Sequence, residues 1–241
     1  MRVAAIIPAA GIGRRMHKAL PKQYLTLGGR PLLAITLSVF EQLPEITEIT
    51  VVAQPAALEY CQKQVITPFG FKKVLRLVPG GKERQDSVYN ALKVLQRQND
   101  WDLYLVHDGV RPFVTSAEVR RVLEAAARHG AAILACPAQD TVKAVTKAGQ
   151  IQKTLNRREI WLAQTPQAFR APILWRAFTE AYGRGFYGTD EASLVEALGL
   201  PVRVEPGSPL NMKITTPEDL ILAAAILQAR ERSQECLPPC A

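Results

Sequence analysis

The segment Pro8-Ala9-Ala10-Gly11-Ile12-Gly13-Arg14-Arg15-Met16 follows the apolar run Val3 to Ile7 and sets small residues beside a pair of arginines. Small side chains let a backbone approach a ligand closely, and its N–H groups then donate to anionic oxygens. Arginines next to such a loop add forked contacts to the same oxygens. Two familiar phosphate-binding patterns are absent. There is no GxxxxGK[ST], and GxGxxG fails because Met16 stands at its third glycine. A dinucleotide pyrophosphate needs little positive charge at this place; a triphosphate needs more, and Arg14, Arg15, Lys18 and Lys22 supply it. The competing reading is a solvated basic turn.

Three further segments carry candidate chemistry. Pro79-Gly80-Gly81-Lys82-Glu83-Arg84-Gln85-Asp86-Ser87 places a glycine pair before a helix, where Ser87 and free N–H groups read a base edge, hold a phosphate, or form a plain turn. His107-Asp108-Gly109-Val110-Arg111-Pro112 ends a strand. A carboxylate there, facing a polyphosphate, suits Mg²⁺, although Asp108 could equally cap a turn. His107 is read as packing or as a local hydrogen bond. Lys213, in Asn211-Met212-Lys213-Ile214, either snorkels to solvent or points into an anionic pocket. No Ser-His-Asp arrangement, reactive cysteine motif or acid–base pair stands out. The chemistry favoured is one without a protein nucleophile. A phosphate monoester, already anionic, attacks the α-phosphorus of a nucleoside triphosphate, and the protein supplies alignment and positive charge.

The elements that must position these residues alternate. Strands are expected at Val3–Ile7, Ile49–Ala53, Lys73–Val78, Leu103–Val106 and Ala131–Cys136, with short ones at Val202–Glu205 and Met212–Ile214. Helices are expected at Leu32–Leu43 and Asp86–Gln96, from the capping box Thr115–Glu118 to Gly130, from Pro172 to about Tyr182, near Thr189, and after Thr216-Pro217. Thr189 doubles as a candidate helix cap. This alternation predicts an α/β fold with a mostly parallel sheet, whose strand carboxyl ends bind ligands. Thr141 to Arg157 breaks the pattern. It alternates polar and apolar residues around Lys147-Ala148-Gly149-Gln150 and reads as a projecting β-hairpin arm that needs a partner surface.

Composition bounds the rest. The 241 residues are 48% apolar and 22% charged, which excludes a disordered chain. Lys and Arg number 30 against 22 Asp and Glu, a net charge of +8 that fits a nucleic acid, an anionic lipid surface or a phosphorylated substrate. Aromatics are only 7% and form no stripe among the basic residues, which argues against nucleic acid. No apolar run reaches the ~18–20 residues that span a bilayer, and Val3–Ile7 is too short for a signal-peptide core. A non-exported, cytoplasmic protein is therefore expected. The spacing of Cys61, Cys136, Cys236 and Cys240 and of His17, His107 and His129 forms no zinc pattern.

PAAGIGRRM, PKQYL, GGKERQDSV, VHDGVRPF, QDTVK, LAQTPQAF, TDEAS and NMKITTPEDL occur in this order over essentially the whole chain. Together they resemble the 2-C-methyl-D-erythritol 4-phosphate cytidylyltransferases of non-mevalonate isoprenoid biosynthesis. The resemblance implies a Rossmann-like nucleotidyltransferase fold in a single domain over residues 1–241. It implies that CTP and methylerythritol phosphate give the CDP-linked alcohol and pyrophosphate with Mg²⁺, and a homodimer built through an arm at about 139–160. By motif, Ala9, Ala10, Gly11 and Gly13 would wrap CTP, with Gly81, Lys82, Ser87 and Gly109 around the nucleoside. Arg15, Lys22 and Lys213 would stabilise charge on the phosphates, and Asp108 would hold Mg²⁺ with Arg111 supporting its loop. Asp140, Thr141, Arg157, Thr165 and Thr189 would bind the alcohol phosphate, Arg157 acting on the neighbouring subunit's site. Leu210 stands where some members carry an acid, Asn156 where some carry Asp, and Lys82 at an often acidic position. The rivals are a cytidylyltransferase for ribitol or another polyol phosphate, a nicotinamide-dependent oxidoreductase, and a non-enzymatic nucleic-acid-binding protein.

Overall fold

Val3, Ala4, Ala5, Ile6 and Ile7 are all fully buried, because the strand they form is covered on both faces. The computed structural model describes residues 1–11, 21–98 and 100–235. In chain order its elements are β1 (Val3–Ala9), β2 (Thr26–Leu27), β3 (Arg30–Pro31), α1 (Leu32–Gln42), β4 (Glu48–Ala53), α2 (Leu58–Cys61), β5 (Val74–Pro79) and α3 (Arg84–Leu95). They continue with β6 (Leu103–Val106), α4 (Ser116–His129), β7 (Ala131–Pro137), β8 (Lys143–Val145), β9 (Ile151–Thr154) and β10 (Trp161–Arg170). The chain then forms α5 (Ala171–Gly183), α6 (Glu191–Glu196), β11 (Arg203–Pro206) and α7 (Pro217–Glu235).

Seven strands make one Rossmann-like sheet in the order β11-β7-β10-β6-β1-β4-β5. All run parallel except β10, which is antiparallel to both β6 and β7. Alternate residues feed two cores. Ala5, Ile7, Val51 and Leu105 pack with Leu37 and Phe40 of α1 and Val119 and Leu123 of α4. Ala4, Ile6, Val52 and Val106 pack with Val88 and Leu92 of α3, Leu174 and Phe178 of α5, and Leu194 of α6. A third cluster, with Leu25, Leu32, Phe113 and Ile214, seats α7 beside the β2–β3 ribbon. Helix α4 begins as its sequence dictates. Thr115 Oγ1 accepts the Glu118 N–H at 3.2 Å, Glu118 Oε2 accepts the Thr115 N–H at 2.8 Å, and Gly130 ends the helix at φ 94°. Among the described residues no helix is long and apolar enough to cross a membrane.

The expected hairpin forms as β8 and β9, a two-stranded sheet separate from the main one. Two expectations are corrected. Met212–Ile214 is not a strand: the Ile214 N–H donates to Val110 O at 3.0 Å, but the segment joins no sheet. Thr189 does not cap α6: Asp190 does, its Oδ1 accepting the Ser193 N–H at 3.0 Å, because the helix starts at Glu191 and the residue just before it is the one whose side chain reaches the first turn.

Candidate active site

Because β1, β4, β5 and β6 are parallel neighbours, their carboxyl ends open on one edge of the sheet, where a crevice forms. A cleft of about 1020 Å³ lies there. Its walls are Ala9-Ala10-Gly11 after β1, Gln54-Pro55-Ala56 after β4 and Gly80 to Arg84 after β5, with Ser87 on α3. Close approach of backbones shapes it. The Gly80 N–H donates to Ala53 O at 2.8 Å, and a Cβ on Gly80 would collide with Cβ of Ala10. Gly81 donates its N–H to Ser87 Oγ at 3.1 Å, and a Cβ there would collide with Asp86. Gln23, almost fully buried, donates Nε2 to Ala9 O at 2.5 Å and so ties the segment after residue 21 to the first loop.

Asp108 forms the floor. It is 5% exposed, yet three cations reach it: Arg84 Nε at 3.2 Å on Oδ1, and Lys213 Nζ at 3.0 Å and Arg111 Nε at 3.3 Å on Oδ2. Burial alone would raise the carboxyl's pKa, but Arg84, Lys213 and Arg111 together hold it well below the usual carboxylate range. Arg111 is itself anchored, with Nη1 donating to Asn211 O at 2.8 Å. The Asp108 N–H donates to Thr165 Oγ1 at 3.1 Å, and that oxygen also lies 3.1 Å from His107 Nδ1. His107 Nε2 lies 3.1 Å from Arg111 O, which is the local hydrogen-bonding role expected of it. Burial pushes the imidazole pKa down to about 4, so the ring is neutral. Gly109 passes under the floor where a Cβ would lie 3.2 Å from Cβ of Ala9. Lys22 Nζ donates to Ile214 O at 3.0 Å at the rim.

The cleft thus gathers Ala9, Ala10, Gly11, Lys22, Gly81, Lys82, Ser87, Asp108 and Lys213, all named from sequence. Gly109, Arg111 and Thr165 stand behind Asp108 rather than in the lining. Gly13 and Arg15, with Arg14 and Lys18, lie outside the described residues. Asp140, Thr141 and Arg157 are exposed at the base of the arm, where Arg157 Nη1 donates to Gln139 O at 2.6 Å, and they do not line the cleft. Thr189 is also exposed and outside it. Sequence reasoning missed Arg84 and Glu191. Arg84 forks onto Glu191, Nη1 to Oε1 at 2.7 Å and Nη2 to Oε2 at 3.1 Å, while its Nε holds Asp108. Burial works against the Arg84 charge, but Glu191 and Asp108 more than offset it and raise its pKa above the usual arginine value. Both residues stand inside quoted motifs, GGKERQDSV and TDEAS, but a pair so far apart in sequence has no local signature.

A cleft edged by small residues, with fixed cations converging on its floor, can hold a polyphosphate and stabilise charge that develops on it. The protein-family model described as 2-C-methyl-D-erythritol 4-phosphate cytidylyltransferase matches residues 3–229. A protein of that name from Geotalea uraniireducens is 49% identical over 95% of this chain and 98% of its own length. The one from Syntrophus aciditrophicus is 50% identical over 95% and 97%. Among solved structures, the 4-diphosphocytidyl-2C-methyl-D-erythritol synthase of Anaerococcus prevotii superposes with a TM-score of 0.82 at 35% identity, covering 94% of this chain and 96% of that one. The 2-C-methyl-D-erythritol 4-phosphate cytidylyltransferase of Thermus thermophilus superposes with a TM-score of 0.77 at 37% identity, covering 95% and 100%. On the family model's match over residues 3–229 and on relatives about half identical over nearly the whole chain, the chain belongs to the 2-C-methyl-D-erythritol 4-phosphate cytidylyltransferase family.

Proposed function

We propose that the cleft over Asp108 is where this family's reaction takes place. The enzyme joins CTP and 2-C-methyl-D-erythritol 4-phosphate to give 4-diphosphocytidyl-2-C-methyl-D-erythritol and pyrophosphate, in non-mevalonate isoprenoid biosynthesis. The observation that carries the placement is the convergence of Arg84, Arg111 and Lys213 on Asp108 beneath a small-residue loop.

In this reading Ala9, Ala10, Gly11 and Gly13 wrap the nucleotide, and Gly81, Lys82, Ser87 and Gly109 surround cytosine and ribose. A phosphate oxygen of methylerythritol phosphate attacks the α-phosphorus, a new P–O bond forms, and the bond to the β-phosphate breaks as pyrophosphate leaves. Negative charge grows on the α-phosphate's equatorial oxygens and on the leaving group. Lys22, Lys213 and Arg15 are the groups assigned to meet it. Preset cations need no reorganisation during the step.

Mg²⁺ fits the residues present. It takes hard oxygen ligands and is held by one or two carboxylates plus substrate phosphates. Asp108 is a deprotonated carboxylate at the floor, and with substrate phosphates supplying the other oxygens it would be the residue that holds the ion. When bound, Mg²⁺ would withdraw charge from phosphate oxygens. Leu210, half-exposed and apolar, adds no second carboxylate.

Arg157, with Asp140, Thr141, Thr165, Thr189 and Arg111, is assigned to the alcohol phosphate. Arg157 stands on the arm, so this assignment includes a homodimer in which the arm, at about 139–160, brings it to the partner's cleft. The whole chain then works as one cytidylyltransferase unit, in the cytoplasm and without a nucleic-acid partner. Pyrophosphate release from CTP with methylerythritol phosphate, run beside ribitol 5-phosphate, tests the reading. Turnover is expected with methylerythritol phosphate, and turnover with ribitol 5-phosphate alone would overturn it.

A further inference from the structure

Three consecutive residues opening α3 reach across to the end of α5, the start of α6 and the chain between them. Arg84 forks onto Glu191. Gln85 Nε2 donates to Phe186 O at 3.1 Å, and its Oε1 accepts the Gly188 N–H at 2.9 Å. Asp86 Oδ1 accepts from the Tyr187 hydroxyl at 3.2 Å and from Tyr182. The nucleotide side of the cleft is thereby joined to the Thr189 segment.

Glu191 is the unusual member. It is 1% exposed, and burying a carboxylate is costly unless it is paired. Its own helix does not need it as a cap, since Asp190 supplies one. Both its oxygens are instead spent on Arg84, which fixes the plane of the guanidinium and points Nε at Asp108. We propose that Glu191 is a positioning residue acting through Arg84, and that the chain Asp108–Arg84–Glu191 couples the two substrate subsites so that filling either tightens the other. A triphosphate beside Asp108 competes for the Arg84 Nε–H and turns the guanidinium. Its other edge is forked onto Glu191, so the turn is passed to the start of α6 and to Thr189. Such coupling is reciprocal by necessity. This rests on CTP occupying the cleft and the alcohol phosphate the Thr189 side.

The test is calorimetric binding of an unreactive CTP analogue, with methylene between the α and β phosphorus, in the absence and presence of methylerythritol phosphate. In the unaltered enzyme the second ligand tightens the first about fivefold or more, the lower end of ordinary coupling. Glu191→Gln, nearly isosteric, brings that ratio to about one while still binding the analogue, as expected when the coupling element is lost. Arg84→Lys, which keeps the charge and removes the fork, does the same, and the double variant loses no more than either. Glu180→Gln, which breaks an exposed pair with Arg176 and Arg184 on α5, keeps the full ratio. Mere loss of stability would lower the melting temperature in any of these variants without equalising the two affinities. An unaltered enzyme that binds the analogue with a ratio of one, or a Glu191→Gln variant with the full ratio, overturns the coupling alone. An unaltered enzyme that neither binds the analogue nor turns over CTP overturns the assignment of the cleft as well.

Discussion

Lys213 Nζ stands 3.0 Å from Asp108 Oδ2, reaching the cleft floor from a segment that belongs to no sheet. The lysine is held by a carboxylate whose other partners are Arg84 and Arg111, so its charge is preset before any ligand arrives. Lys213→Ala is expected to lower kcat by ~10²-fold, on the scale of losing one transition-state charge donor. Lys22→Ala is expected to act similarly, since Lys22 lines the same cleft. Circular dichroism and melting should show both variants folded. Wild-type turnover in either would remove that lysine from the mechanism.

Gly80 owes its identity to space. A Cβ there would collide with Cβ of Ala10 and lie 3.1 Å from Ser87 Oγ, so the loops after β1 and β5 would have to part. Overpacking of this kind costs about 1–3 kcal/mol, which read as ligand affinity is roughly fivefold to a hundredfold. Gly80→Ala should therefore raise KM for CTP by about that factor. KM for the alcohol phosphate should move less. Steady-state kinetics against each substrate separate the two, and an unchanged KM for CTP would place the nucleotide away from these loops.

The parts legible in sequence were those with local causes. β1 and β6 are continuous apolar runs because both sheet faces are covered, and α4 carries both halves of its capping box and its terminal glycine. The glycine loops and Asp108 were legible because their position at strand ends already implies a ligand edge. β10 was harder. Its run contains Gln164, Thr165 and Gln167, buried through Asn211, His107 and Asp190, and those partners appear only once the sheet has formed. Its reversed direction is likewise set by its two neighbours. Lys213 has the sequence surroundings of a strand, but its segment is held by the Ile214 N–H on Val110 O and by side chains, Lys22 on Ile214 O and Arg111 on Asn211 O, rather than by a sheet ladder. The Arg84–Glu191 fork is wholly tertiary, joining the starts of two helices.

Cys61 gives a stability signature in alkali. The thiol, at the end of α2, is fully buried in the core, and burial raises its pKa from the usual 9.0 to about 11, with a hydrogen bond to Tyr24 opposing in part. In the unfolded chain it ionises near 9, so between 9 and 11 the unfolded state holds fewer protons than the folded one. Stability present below pH 9 is then lost as pH rises toward 11, about 1.4 kcal/mol of it by pH 10. Urea unfolding of wild type and Cys61→Ala at pH 8 and pH 10 measures this. The variant starts less stable, from the small cavity, but should lose less on going to pH 10. Equal losses in the two proteins would show that the thiol does not titrate in this window.

The arm exposes apolar surface that it cannot cover itself. Val145 is 56% exposed and Ile151 65%, and Leu162, where β10 leaves the arm, is 58% exposed. A lone two-stranded hairpin is marginal in water, and the proposed homodimer would give this one a surface to pack on. Its turn is closed by the Thr146 N–H to Gln150 O at 2.8 Å and the Gly149 N–H to Thr146 O at 3.0 Å. Replacing residues 146–150 by a short Gly-Ser link should release β8 from β9 and leave the main sheet, which the arm does not join, intact. The proposed homodimer then predicts twice the chain mass by light scattering for the wild type and the single-chain mass for the deletion variant. Activity should fall with the dimer, because the proposed assignment brings Arg157 to a cleft only through the partner. A deletion variant that remains both dimeric and active would contradict the arm's role in assembly and in the site.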